Sequence, residues 1–115
     1  MPSPAPRPPA PEPAAYKAEP IPGPDGTVEW WDEPLSDAEA VARLERGLDI
    51  VVRGPARRAN RNKARALMVA AFGGFEEDTH HAGRMALPHF HPPGRTPEVH
   101  AFFDSPPRHA KKRKP

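Results

Sequence analysis

The sequence predicts a small α+β domain in which two helices accompany a short antiparallel sheet. Three observations predict this class: short runs of β-branched and aromatic residues, two segments with helix-capping signals, and their alternation in the order β–α–β–α–β–β. The chain has 115 residues and 19 prolines, and eleven of these prolines fall within the first 34 positions. Because proline is excluded from helix and sheet interiors, about 80 residues remain for one domain, near the lower limit for a self-sufficient core.

The distribution of proline and charge divides the chain into three predicted parts. Residues 1–26 are predicted to be a disordered, proline-rich leader, because proline favours an extended polyproline II conformation that acts as a semi-rigid tether. Residues 27–104 are predicted to form the folded domain. Residues 105–115 are predicted to be a disordered basic tail.

Local signals predict the first strand and the first helix. Residues 27–31 form a β-prone run that contains both tryptophans, and we expect at least one of these rings in the core. Ser36 and Glu39 have the spacing of a helix-capping box, and Gly47 marks the predicted end of that helix.

The second half of the domain is predicted in the same way. Residues 49–53 are almost wholly apolar and β-branched, which is typical of a strand buried on both faces. Residues 56–72 have high helix propensity and stop at a pair of glycines. Residues 75–78 are predicted to be a loop, and the segments 86–91 and 99–103 to pair as a wide hairpin.

Composition and charge exclude several protein classes. The chain contains no cysteine, so a disulfide framework, a thiolate metal site and a cysteine nucleophile are all excluded. We find no signal peptide and no apolar run long enough to span a bilayer, which predicts a protein that is cytoplasmic when made and has no membrane partner. Residues 1–34 carry a net charge of −4 and residues 35–115 a net charge of +6, which favours a polyanionic partner for the second part.

The start of the second predicted helix is strongly basic. Four of its arginines are candidate nucleic-acid contacts, and Asn60 is a second-rank candidate for a phosphate or sugar contact. The alternative interpretation is an ordinary solvated face. The four arginines are Arg57, Arg58, Arg61 and Arg65.

Five of the six histidines lie between positions 80 and 100. In a strand, His89 and His91 point to the same face, and His100 on the following strand can meet them across the hairpin. These three histidines are the candidate catalytic residues, together with two arginines that could stabilise a phosphate. The arginines are Arg84 and Arg95, and the second-rank histidines are His80 and His81.

Three interpretations of the histidine cluster compete. In the first, one imidazole removes the 2′-hydroxyl proton of RNA and another protonates the leaving 5′-oxygen, so that no cofactor and no metal are required. In the second, the imidazoles bind a divalent metal ion with help from a nearby carboxylate, Asp78 or Asp104. In the third, the histidines are structural or surface residues. The metal-free chemistry leads over the metal site by a narrow margin.

The segment from residue 49 to residue 104 resembles the C-terminal toxin module of bacterial polymorphic toxins, the kind carried by RHS-repeat, contact-dependent and type VI secreted effectors. The resemblance lies in IVVxG at 50–54, NRxxAR at 60–65, LPHFHP at 87–92, GR at 94–95 and HxFF at 100–103. It covers roughly half of the chain, and the histidine-rich end is its most specific part. The sequence Thr96-Pro97-Glu98 departs from the glycines expected before the last strand.

The resemblance implies a secreted effector of bacterial competition. Such an effector is delivered into the target-cell cytoplasm by a specialised secretion route, acts most often as a nuclease on RNA, and is neutralised in the producer by a cognate immunity protein. Taken with the histidine cluster, it predicts a ribonuclease toxin that cleaves RNA by metal-free acid–base chemistry. The alternatives are a non-catalytic nucleic-acid-binding, adaptor or immunity module, and a nuclease that depends on a histidine-bound metal.

Overall fold

Two helices and a seven-stranded sheet make up the described part of the chain, which confirms the α+β class. The structure, a computed structural model, describes residues 13–21, 27–78, 87–103 and 111–113. The helices are α1 (Asp37–Glu45) and α2 (Arg57–Phe72). The strands are β1 (Ala14–Pro20), β2 (Val28–Leu35), β3 (Ile50–Arg53), β4 (Glu76–Asp78), β5 (His89–His91), β6 (Ala101–Phe103) and β7 (Lys111–Arg113).

The sheet is mixed, whereas the sequence predicted an antiparallel one. Its strand order is β4-β5-β6-β3-β1-β2-β7. Strands β3 and β6 are parallel, as are β2 and β7, and the other neighbouring pairs are antiparallel. The connection from β3 to β6 includes α2, and a long crossover of this kind is what parallel strands require.

Strand β1 lies in the interior of the sheet, so the prediction of a disordered leader over residues 1–26 is wrong from Ala14 to Pro20. This strand pairs with β3 on one side and with β2 on the other. Its only proline is the final residue, at the end of the strand, where proline is tolerated. The predicted disordered tail, residues 105–115, is likewise wrong over Lys111–Arg113, which pair with β2 as strand β7.

The helix boundaries agree with their capping signals. The Ser36 side chain accepts a hydrogen bond of 3.1 Å from the Glu39 N–H, and the Glu39 carboxylate accepts one of 2.8 Å from the Ser36 N–H. Helix α2 ends where Gly73 adopts a left-handed φ of 80°. Neither helix of the described residues is long and apolar enough to cross a membrane. The segment predicted as a loop at 75–78 instead contains strand β4, which pairs with β5.

The sheet has an apolar cluster on each face. On the helix side, Phe90 and Phe103 pack with residues of α1 and α2, among them Leu44 and Met68. The opposite face holds a smaller cluster that includes Trp30, which confirms that one tryptophan belongs to the core. The other members of this cluster are Ala18, Val28, Val51, Leu87 and Phe102. Because side chains alternate along a strand, the histidines that flank Phe90 lie on the face away from the helices.

Candidate active site

Three histidines meet on the sheet face opposite the helices, and we call them the histidine pocket: His89, His91 and His100. The pairing of β5 with β6 sets His89 opposite Phe102, and continuing that register sets His91 opposite His100. The ring centroids are 4.7 Å apart for His89 and His91, 4.9 Å for His89 and His100, and 4.8 Å for His91 and His100. The alternation of side chains along the two strands therefore brings all three rings together, as the sequence predicted.

The main chain and the neighbouring ring fix the orientation of His89. Its Nδ1 atom lies 3.0 Å from the carbonyl oxygen of Leu87, and its Nε2 atom lies 3.1 Å from Nε2 of His91. A carbonyl oxygen can only accept a hydrogen bond, so Nδ1 of His89 is the donor. Nε2 of His89 is consequently the atom that faces the pocket. His91 is buried, while His89 and His100 are half-buried at its sides.

Asp49 orients His100. Its Oδ1 atom accepts a hydrogen bond of 2.7 Å from the main-chain N–H of His100 and lies 3.2 Å from Nδ1 of the same ring. Since a carboxylate only accepts, the ring donates through Nδ1 and presents Nε2 to the pocket. The sequence predicts Asp49 only as the first residue of a strand, and it suggests Asp78 or Asp104 as the carboxylate near the histidines. Asp104 and the Asp78 side chain lie outside what the structure describes.

Arg43 links helix α1 to Asp49. Its guanidinium donates to the main-chain oxygen of Asp49 at 3.1 Å and to that of Ala18 at 3.3 Å. Burial lowers the pKa of Arg43, and the Asp49 carboxylate opposes that effect. The Arg43 guanidinium is thus hydrogen-bonded to the main chain of Asp49, the residue whose carboxylate orients His100.

Arg95 lies at the rim of the pocket, as its place in the sequence suggested. Its Nη1 atom is 3.4 Å from Nε2 of His91, and its Nε atom is 3.4 Å from the Glu76 carboxylate, which also accepts a 2.8 Å bond from the Gly94 N–H. Gly94 and Arg95 have φ values of 71° and 59°. The left-handed conformation is unfavourable for arginine by about 1–2 kcal/mol, and such strain concentrates at functional sites.

The structure does not bring the basic start of α2 to the histidine pocket. Arg61 forms a two-pronged ion pair with Glu77 at 2.6 and 3.1 Å and lies 5.6 Å over the Phe90 ring, on the helix side of the sheet. Arg57, Arg58 and Arg65 belong to the same helix. Asn60 is fully buried and donates to the Gly54 carbonyl at 2.9 Å, so its expected contact with nucleic acid is wrong.

The remaining predicted site residues cannot be placed. Arg84, His80 and His81 lie outside the described residues. Comparison of the chain with protein-family models, curated proteins and solved structures finds no match. The resemblance to polymorphic-toxin modules therefore stays a prediction.

Proposed function

We propose that this protein is a nuclease that cleaves phosphodiester bonds of RNA at the histidine pocket, as the toxin domain of a bacterial effector. The observation that carries the proposal is the convergence of three imidazoles, one of them paired with Asp49, beside the Arg95 guanidinium. Five acid–base or cationic groups on one small surface suit the chemistry of a phosphate ester better than that of a neutral substrate.

The His100–Asp49 pair supplies a positioned acid–base group. Asp49 is held by the His100 main chain, so its carboxylate keeps the ring in one orientation, with Nε2 free of this contact and able to transfer a proton. RNA carries its own nucleophile. Removal of the 2′-hydroxyl proton lets that oxygen attack phosphorus, and the leaving 5′-oxygen must in turn receive a proton, which gives a cyclic phosphate.

Arg95 is the group best placed to stabilise negative charge on the phosphate. Its side chain is 52% exposed and its contact with Glu76 is long, at 3.4 Å. A phosphate oxygen offers a guanidinium a shorter and stronger charge-assisted hydrogen bond. A bound phosphate can therefore compete with the Glu76 carboxylate for the Arg95 guanidinium.

The spacing of the rings favours the metal-dependent form of this chemistry as a second candidate. In the metal-free scheme, two imidazoles act on opposite sides of phosphorus, with the attacking and leaving oxygens between them. Here Nε2 of His89 and Nε2 of His91 are only 3.1 Å apart, so no phosphate group fits between these two rings. These two rings can instead contact only one atom of the substrate, and both do so from the same side.

The test is cleavage of total RNA and of plasmid DNA by the purified full chain, each with and without EDTA. We expect cleavage of RNA to fall about 100-fold or more in His91→Ala and His100→Ala. Glu45→Ala, at an exposed residue of α1 on the other side of the sheet, is the matched control and should cleave like the wild type. Equal cleavage by all of these proteins would mean that the nuclease is a contaminant.

Growth of a host strain tests the toxin part of the proposal. Leaky expression of the wild type should stunt a strain that lacks an immunity protein, and His89→Ala or His91→Ala should restore growth. A wild-type protein that the host tolerates and that cleaves neither RNA nor DNA would contradict the proposed function and favour a non-catalytic binding module.

A further inference from the structure

We infer that the histidine pocket binds one divalent transition-metal ion of the zinc type through His89, His91 and His100. Each ring offers one nitrogen, and no two of these nitrogen atoms are more than 4.8 Å apart. Imidazole nitrogen suits zinc and its neighbours, whereas magnesium and calcium prefer oxygen ligands. The role of the ion in cleavage rests on the proposed function; the binding itself does not.

The distances are close to those that such an ion requires. Zinc binds imidazole nitrogen at about 2.0–2.1 Å, so two nitrogens of a tetrahedral site are about 3.3 Å apart. The 3.1 Å between Nε2 of His89 and Nε2 of His91 is already within about 0.2 Å of that separation. The widest of the three separations is at most 4.8 Å, so it has to close by at most about 1.5 Å for the ion to be bound.

Two of the rings are held in the tautomer that binds metal through Nε2. His89 donates through Nδ1 to the Leu87 carbonyl, and His100 donates through Nδ1 to the Asp49 carboxylate. Carbonyl and carboxylate partners on the second ring nitrogen are the usual supports of histidine ligands, because they fix the ring and raise its basicity. The Asp49 carboxylate also supplies negative charge next to the ion.

The contact between the two Nε2 atoms can be bridged by a single hydrogen or by a metal ion. Because Nδ1 of His89 is the donor to a carbonyl, its neutral ring carries a lone pair on Nε2. Nε2 of His91 faces both that lone pair and an N–H of Arg95, at 3.1 and 3.4 Å. When Nε2 of His91 carries the hydrogen of its neutral ring, it donates to Nε2 of His89 at 3.1 Å, and a metal ion bound between the two nitrogens would take the place of that hydrogen.

The site has the form of a catalytic zinc centre more than that of a structural one. Structural zinc sites are closed by four protein ligands, while catalytic sites keep a position for water or substrate beside three. Among the described residues the pocket brings together three such ligands. Three histidine ligands would leave a coordination position for water or substrate, and Arg95, 3.4 Å from Nε2 of His91, is the nearby cation that could bind a phosphate there.

Binding of Zn²⁺ to the tag-free full chain, stripped of metal beforehand, tests the inference. We expect one ion per chain by elemental analysis and by calorimetric titration, and a Co²⁺-loaded protein with the intense visible absorption of a tetrahedral site. Affinity should fall at least about 100-fold in His91→Ala and His100→Ala, and about 10–100-fold in Asp49→Ala, which removes the hydrogen-bonding partner of His100 but no ligand. Glu45→Ala, on the exposed surface of α1, is the control and should bind like the wild type.

A second measurement uses only the wild-type protein, so it tests the inference even if the histidine variants fail to fold. In the wild-type protein, Zn²⁺ should protect the half-buried His89 and His100 from diethyl pyrocarbonate, with the modified histidines identified by mass spectrometry. Failure of the wild type to bind stoichiometrically, or binding that persists in the histidine variants or protects other histidines instead, would overturn the inference.

The RNA assay separates the two proposals. Stoichiometric Zn²⁺ binding without cleavage would support the metal site and contradict the nuclease. Cleavage that survives chelation, by a protein that binds no metal, would support the nuclease and overturn the metal site.

Discussion

The position of Ala15 provides the sharpest test of the fold. Ala15 is fully buried in the interior strand β1, with its side chain in the helix-side cluster. Replacement by glutamine forces extra atoms into a packed core, which costs about 1–3 kcal/mol. It also buries an amide that has no hydrogen-bond partners there, which costs about another 1–3 kcal/mol. We therefore expect Ala15→Gln to destabilise the protein by at least about 2 kcal/mol, a large part of the 5–15 kcal/mol of an ordinary domain.

Lys17→Gln is the matched control, because it introduces the same side chain two residues further along the same strand, at an exposed position. It should change the free energy of unfolding by less than about 0.5 kcal/mol. Urea denaturation, followed by the fluorescence of Trp30 in the adjacent strand β2, measures both variants. An Ala15→Gln protein as stable as Lys17→Gln would refute an interior β1 and restore the interpretation of this segment as a tether.

Three further predictions concern single contacts. Ser36→Ala should lower the free energy of unfolding by about 1 kcal/mol in thermal or urea denaturation, because it removes the side-chain cap of α1; no change would contradict the capping box. The Arg61 ion pair lowers the pKa of Glu77 below its ordinary 4.5, so the pair should stabilise the fold by about 0.5–1 kcal/mol above that pH and lose this effect as pH falls through the lowered folded value. Glu77→Gln should accordingly be less stable than the wild type at pH 7 and equal to it at low pH, in urea titrations at both pH values. Arg95→Ala should keep Zn²⁺ affinity within about threefold but cleave RNA at least about tenfold more slowly, since a guanidinium is a poor metal ligand and a good phosphate contact; parallel loss of both would contradict this division of roles.

The sequence alone predicts the elements whose formation depends on residues close together in the chain. The capping box of Ser36 and Glu39 and the glycine after α2 act within one helical turn, and both helices begin and end within about two residues of the predicted positions. The histidine pocket was predictable for a related reason. Alternation along β5 sets His89 and His91 on one face, and the neighbouring antiparallel strand supplies His100.

Features that depend on distant pairing were missed. The segment Ala14–Pro20 lies among many prolines, and its own residues do not clearly predict a strand. It is a strand because it pairs with β2 on one side and with β3 on the other, and those strands are distant in the sequence. Asp49 acquires its role in the same way, because the parallel pairing of β3 with β6 brings it to His100, 51 residues further along the chain. Asn60 shows the opposite error, since a polar residue in a basic stretch turned out to face the core.

The two arginines that pair with strand β4 lie on opposite faces of the sheet. Strand β4 holds Glu76 on the pocket side, paired with Arg95, and Glu77 on the helix side, paired with Arg61. The Arg61 pair is short and two-pronged, with side chains 33% and 28% exposed, whereas the Arg95 contact is 3.4 Å long, with side chains 52% and 45% exposed. The geometry makes the contact of Arg95 with Glu76 the longer and more exposed of the two, and ion pairs of that kind contribute little to stability. An RNA strand that ran from the pocket to α2 would also have to cross the carboxylates of this edge. The proposed cleavage of RNA therefore assigns the contact with the scissile phosphate to Arg95, while Arg61 joins β4 to α2 through Glu77.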